Sequence, residues 1–143
     1  MHMNRVERNQ HKFLVWLCGR CRLSDVSFEY VTLLRFFGLR SLAARRLQHD
    51  LMFMRNIHNQ SVDSSFLLSC FPLSVPIRAL RSRPLFHVPY ARVNTVKLSM
   101  FCRMPTSCND FLDKCRDADV WRLSAGQFKK SVLAYTKTQG VGS

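Results

Sequence analysis

The sequence predicts a mainly α protein: a small helical bundle whose middle is an extended segment rich in proline and arginine, with room for one short hairpin. Three observations carry that reading. Apolar residues recur at a 3.6-residue spacing on either side of the middle, cap-forming residues stand at the starts of those runs, and Pro72, Pro76, Pro84, Pro89 and Pro105 cluster between them. The expected layout is a helical part over 1–76, an extended basic segment over 77–106, C-terminal helices over 107–136 and a frayed tail over 137–143. A chain of 143 residues is the size of one domain and buries about two thirds of its unfolded surface.

The first helix is expected from Asn4 to Leu17, with Val6, Gln10, Phe13, Leu14 and Leu17 inward and Arg5, Arg8 and Lys12 outward. Ser27 to Phe37 should form a second, with Tyr30, Leu33, Leu34 and Phe37 facing the core. Gly38 then breaks the apolar run and Ser41 is a natural N-cap for a longer helix to about His58. On a helical wheel that helix sets Ala43, Leu47, Leu51, Met54 and Ile57 against an outer face of Arg45, Gln48, Met52, Arg55 and Asn56. Asp50 falls among the apolar positions, where a carboxylate is costly without a cation. The expected pair is structural, Asp50 with Arg46 one turn earlier or with an arginine from elsewhere, because no second acid or histidine accompanies it at a spacing useful to catalysis.

Asn59 to Ser65 is turn material, and Asp63 or Ser64 can cap a short helix through Phe66, Leu67 and Cys70 that Pro72 and Pro76 end. Between Asp63 and Asp110 the chain carries no acid, while Arg78, Arg81, Arg83, Arg92, Lys97 and Arg103 are basic and Phe86, Tyr90 and Phe101 are interleaved. The prolines exclude a continuous helix there, and a hairpin of Leu85 to Val88 with Thr95 to Leu98 is the candidate regular structure. Arginines and rings on an extended segment suit single-stranded nucleic acid, since guanidinium groups meet phosphates and rings stack on bases. The same residues also fit a solvated basic loop whose rings anchor the core. Cys108 to Cys115 reads as a short helix with Phe111 and Leu112 buried, and Asp117 to Arg122 as a connection. Ser124-Ala-Gly-Gln127 has the form of a capping box, followed by Phe128, Val132 and Tyr135 on one face with Lys129 and Lys130 outside.

Charge bounds the partners. Twenty-two Lys and Arg against nine Asp and Glu give +13, which favours polyanionic partners such as nucleic acid, RNA or single-stranded DNA, or acidic membrane surfaces. Phe13 to Cys18 is too short an apolar run for a membrane span, so neither a signal peptide nor a transmembrane helix is expected, and no membrane is counted among the partners. Six cysteines without a secretory signal then read as free thiols in a nuclear or cytoplasmic protein. Cys18-Gly-Arg-Cys21 lacks a second close pair for zinc. Asp110, Asp113, Asp117 and Asp119 come nearest to a magnesium cluster, but the first two stand at an expected helix N-terminus, where negative charge is favourable anyway. His2, His11, His49, His58 and His87 are scattered, and the chain holds no glycine-rich phosphate loop, Gly-x-Ser-x-Gly or His-Glu-x-x-His. No catalytic residue, cofactor, metal or small-molecule substrate is therefore expected. Arg78, Arg81, Arg83, Arg92, Lys97 and Arg103, with Phe86 and Tyr90 for stacking, are the candidate nucleic-acid contacts.

Several segments, taken in order, resemble one family. They are Val6-Glu-Arg-Asn-Gln-His-Lys-Phe-Leu-Val-Trp-Leu, Leu39-Arg-Ser-Leu-Ala-Ala-Arg-Arg-Leu-Gln-His-Asp-Leu-Met-Phe, Ile57 to Leu68 with Val62-Asp63-Ser64, Arg81-Ser-Arg-Pro-Leu-Phe, Arg103-Met-Pro, Asn109-Asp-Phe and Phe128-Lys. The chain resembles the C-terminal region, beyond the palm and thumb, of the reverse transcriptase polyprotein of insect-type non-LTR retrotransposons. The family's polymerase needs an aromatic-x-Asp-Asp motif and its endonuclease a separate N-terminal domain, and this sequence contains no Asp-Asp pair. The resemblance implies a non-catalytic segment that packs behind the upstream reverse transcriptase domains and helps to hold template RNA or target DNA. A small helical interaction module with structural arginine ion pairs is the alternative; it is distinguished by whether the arginines from Arg78 to Arg103 fold inward on Asp50, Asp63 and Asp110.

Overall fold

The computed structural model describes residues 5–23, 27–74, 84–115 and 120–138, and over them the protein is mainly α. Among the described residues seven helices follow one another: α1 (Arg5–Arg20), α2 (Tyr30–Phe36), α3 (Leu42–His58), α4 (Ser65–Cys70), α5 (Asn94–Lys97), α6 (Met100–Cys115) and α7 (Ala125–Thr138), with a 3-10 turn at Val120–Arg122 before the last. The chain divides into two compact units, Met1–Leu47 with Thr136–Ser143, and Gln48–Tyr135. That division falls within α3 and near the end of α7.

In the first unit Leu14 and Cys18 of α1 pack with Leu33 and Leu34 of α2, and Val15, Leu23, Tyr30 and Phe37 close around them. The buried stripe of α1 is thus Glu7, Leu14 and Cys18, while Val6 and Phe13, expected inside, are exposed. Glu7 explains the rotation. Its carboxylate accepts hydrogen bonds from the Tyr30 hydroxyl and, through Oε1, from the backbone N–H of Ala43 at 2.9 Å, so α1 supplies a cap to the first turn of α3. Ser41 Oγ accepts the next N–H, that of Ala44, at 3.2 Å.

Three helices end in the same way. After α2, Gly38 has φ +62°, its N–H donates to Arg35 and that of Leu39 to Leu34. Arg22 (φ 51°) after α1 and Gln60 (φ 54°) after α3 repeat that Schellman geometry without glycine.

The second unit is organised on α6. Its inward residues, Cys102, Met104, Pro105, Cys108, Asn109 and Phe111, are buried. The Phe111 ring meets Phe128 and Tyr135 of α7 edge-on, at 5.6 and 5.2 Å between centroids. Phe128, Val132 and Tyr135 are buried and Lys129 and Lys130 exposed, as the periodicity predicts. Ser124 and Gln127 form the expected capping box: Ser124 N–H donates to Gln127 Oε1 at 3.2 Å and Gln127 N–H to Ser124 Oγ at 3.3 Å. Ser64 caps α4 by accepting the Leu67 N–H.

The middle of the chain departs from expectation. Helix α6 begins at Met100 and carries Pro105 inside it. Proline there removes the hydrogen bond to the Phe101 carbonyl and costs about 3 kcal/mol, which burial of the ring on the core face of α6 offsets. Asp110 and Asp113 consequently lie in the later turns of this helix, exposed, instead of at its start. No hairpin joins 85–88 to 95–98. Asn94–Lys97 is helical, and Phe86 instead pairs with Leu73 in an isolated antiparallel bridge, closed by Ser74 N–H to Leu85 O at 2.8 Å and His87 N–H to Pro72 O at 3.0 Å. Helix α7 continues through Thr136, which is buried, to Thr138, two residues into the stretch expected to fray. On α3, Leu51, Met54 and Ile57 are buried as expected, but Gln48 and Arg55 are buried too and Ala43 is exposed.

Candidate nucleic-acid interface

Asn109 fixes the extended run that follows Pro84. Its Oδ1 accepts the Phe86 N–H and its Nδ2 donates to the Phe86 carbonyl, both at 2.9 Å, so one buried amide supplies the two hydrogen bonds a neighbouring strand would give. The Phe86 ring, 1% exposed, lies 4.9 Å from the His58 imidazole. Burial pushes the His58 pKa down. Three residues on, the Cys102 thiol reaches the Pro89 carbonyl and holds the run to α6.

Beyond this anchor the chain opens into a cleft of about 710 Å³ lined by Val88, Pro89, Tyr90, Ala91, Arg92, Lys97, Cys102 and Thr106. Tyr90 is 87% exposed, and Arg92 and Lys97 are exposed beside it. A ring and two cations on a concave wall can stack on an unpaired base and meet its phosphates.

The other expected contacts fall differently. Arg103 is turned onto Asp50 as a two-pronged pair, Nε to Oδ2 at 2.8 Å and Nη2 to Oδ1 at 3.1 Å, with Nη1 donating to the Leu98 carbonyl. The hydrogen bonds to Asp50 push its pKa up. Asp50 therefore has its partner from another helix and not at Arg46, which is exposed; the planar fork of Arg103 reaches both oxygens across the α3–α6 packing. Phe86 cannot stack on a base, because its ring is in the core. Arg78, Arg81 and Arg83 lie outside the described residues, as do Asp117 and Asp119.

Arg55, read as an outer residue of α3, is buried. It donates to the Leu123 carbonyl and places its guanidinium 5.6 Å from the Phe128 ring centroid. Cys108 is buried near Asp50, and burial first, then that charge, pushes its thiol pKa up. All six cysteines are free thiols, and among the described residues no three His, Cys, Asp or Glu side chains converge as metal ligands. Nor is any described helix long and apolar enough to cross a membrane.

One basic and aromatic surface escaped the sequence reading. On α1, Phe13 and Trp16 are each 57% exposed, their rings stacked at 5.9 Å, and Arg20 lies 5.7 Å over the Trp16 ring. The i, i+3 and i, i+4 spacings of those three residues were the available signal. No protein-family model, curated protein or solved structure matches the chain.

Proposed function

We propose that this protein is a non-catalytic binder of single-stranded nucleic acid, in origin the segment that follows the thumb in a non-LTR retrotransposon reverse transcriptase. The observation that carries the binding role is the open cleft where exposed Tyr90 stands with Arg92 and Lys97 on a chain of net charge +13. Ring stacking supplies affinity without sequence preference, and the cations make that affinity a matter of counterion release. The order of the segments from Val6 to Phe128 supports the origin. In the parent, the upstream reverse transcriptase domains are the protein partner.

The test is a titration of labelled single-stranded RNA and DNA against salt. Affinity should fall linearly with the logarithm of salt, with a slope of about 0.7 per phosphate neutralised. A flat response, or no binding at low salt, overturns the reading. In-frame or decayed palm-coding DNA immediately upstream tests the origin separately.

One observation favours the alternative of a protein-interaction module. Arg103 folds inward on Asp50, and Val93, Val96 and Leu98 stand exposed beside it, Leu98 at 69%. Such a surface fits a protein partner. Leu98→Ser leaves nucleic-acid affinity unchanged on the first reading and abolishes capture of an acidic protein partner on the second.

A further inference from the structure

We propose that the outer face of α1 is a second contact for single-stranded nucleic acid, in which unpaired bases stack on Phe13 and Trp16 while Arg5, Lys12 and Arg20 meet the backbone. This rests on the polyanion-binding reading above, but on a different surface and different residues.

The inner side of α1 is spent on the fold, since Glu7, Leu14 and Cys18 are buried. Opposite them runs an exposed stripe, Arg5, Asn9, Lys12, Phe13, Trp16 and Arg20, at helical spacing over the whole element. At 1.5 Å per residue it spans roughly 22 Å, enough for several nucleotides. Two large rings left in water are unusual on a helix that has a core to join. Phe13 and Trp16 are inclined by only 30° to one another, and the guanidinium over Trp16 adds a third planar group. Bases stack on both kinds of plane.

Charge decides the occupant. No acid stands on the stripe, and every ring on it has a cation within one turn. A membrane-surface helix separates an apolar face from its cationic one. Here the apolar face is packed in the core and the rings share the cationic side, the arrangement that single strands use.

The experiment compares a single-stranded oligothymidylate with a duplex of equal length, using labelled-strand anisotropy on the full chain. Phe13→Ser with Trp16→Ser should weaken single-strand binding about tenfold or more, leave duplex binding within about twofold, and leave helicity unchanged because both rings lie outside the core. Trp16→Phe should retain most of the affinity. Added single strand should quench tryptophan emission in the wild type, and Trp16→Leu should remove that quench. Single-strand affinity unchanged in the double variant, or quenching that survives Trp16→Leu, overturns this proposal while leaving the cleft intact. Quenching by phosphatidylserine vesicles with none by the oligonucleotide overturns it in favour of a membrane. Binding of neither strand form at low salt overturns this proposal and the cleft together.

Discussion

Glu7 in the first unit is met by neutral donors, the Tyr30 hydroxyl and the Ala43 backbone N–H, whereas Asp50 in the second is met by the two-pronged guanidinium of Arg103. Both acids hold separate helices together, and both sit where the chain has few other acids. The difference lies in what supplies the positive end. For Glu7 it is the partial charge at the start of α3, fixed by the backbone and needing no second ionised side chain. For Asp50 it is a full charge on a long side chain, which must itself be ordered and which is thereby withdrawn from any ligand. A basic chain can thus solve the same burial problem with or without using up one of its cations.

The largest effect should come from Asn109, whose amide satisfies both polar groups of Phe86. Asn109→Leu leaves a buried N–H and C=O without partners and should cost about 2–4 kcal/mol in urea unfolding. Asn109→Asp keeps the acceptor, loses the donor and should also destabilise.

Asp50→Ala should cost about 2–3 kcal/mol, because it removes two charge-assisted hydrogen bonds and leaves Arg103 partly buried. In a double-mutant cycle, Asp50→Ala with Arg103→Met should recover part of that loss. Glu7→Gln keeps an acceptor for Ala43 and should cost only about 1 kcal/mol. If Glu7→Gln proves as damaging as Asp50→Ala, the contrast between a helix terminus and an ion pair fails.

Protonation separates the units as well. His58 has a folded pKa below its ordinary value, so the unfolded chain takes up a proton first and stability falls as pH drops below about 6.5. Tyr30 has a folded pKa above its ordinary value, from burial first and then from Glu7; stability is complete below about pH 10 and declines as pH rises past it. Unfolding midpoints across pH check both signs: His58→Leu should flatten the acid limb and Tyr30→Phe the alkaline one.

The smallest effects should appear at the three helix ends. A Cβ at Gly38 meets nothing within 4 Å, so the cost of Gly38→Ala is backbone strain alone, about 1 kcal/mol. Arg22→Gly and Gln60→Gly relieve the same strain and should stabilise by some tenths of a kcal/mol, net of the unfolded-state entropy of glycine.

Local chemistry was legible in the sequence. Ser41, Ser64, the Ser124–Gln127 box and the Gly38 corner all act within four residues, and each is where the residue types place it. The inward face of α7 is legible for the same reason. What depended on distant contacts was not. Leu14 is inside α1 as expected, but Glu7 and Cys18 join it there in place of Val6 and Phe13, and the choice is made by Glu7 finding Tyr30, 23 residues away. Phe86 reads as a candidate stacking ring until Asn109, also 23 residues away, is seen to hold its backbone. Pro105 signals a break, yet the core face of α6 outweighs it. In the candidate site, Tyr90, Arg92 and Lys97 remain together at the cleft, while Phe86 and Arg103 go to structural duty; on α1, Phe13, which amphipathic patterning assigned to the interior, is exposed.

The most direct test of nucleic-acid binding at the cleft is the salt slope of single-strand affinity for the wild type and for Arg92→Gln with Lys97→Gln. Each cation that meets a phosphate contributes about 0.7 to the slope, so the double variant should show a slope lower by about 1.4 together with weaker binding at every salt concentration. A slope identical to that of the wild type, with unchanged affinity, contradicts a role for the cleft in holding the strand.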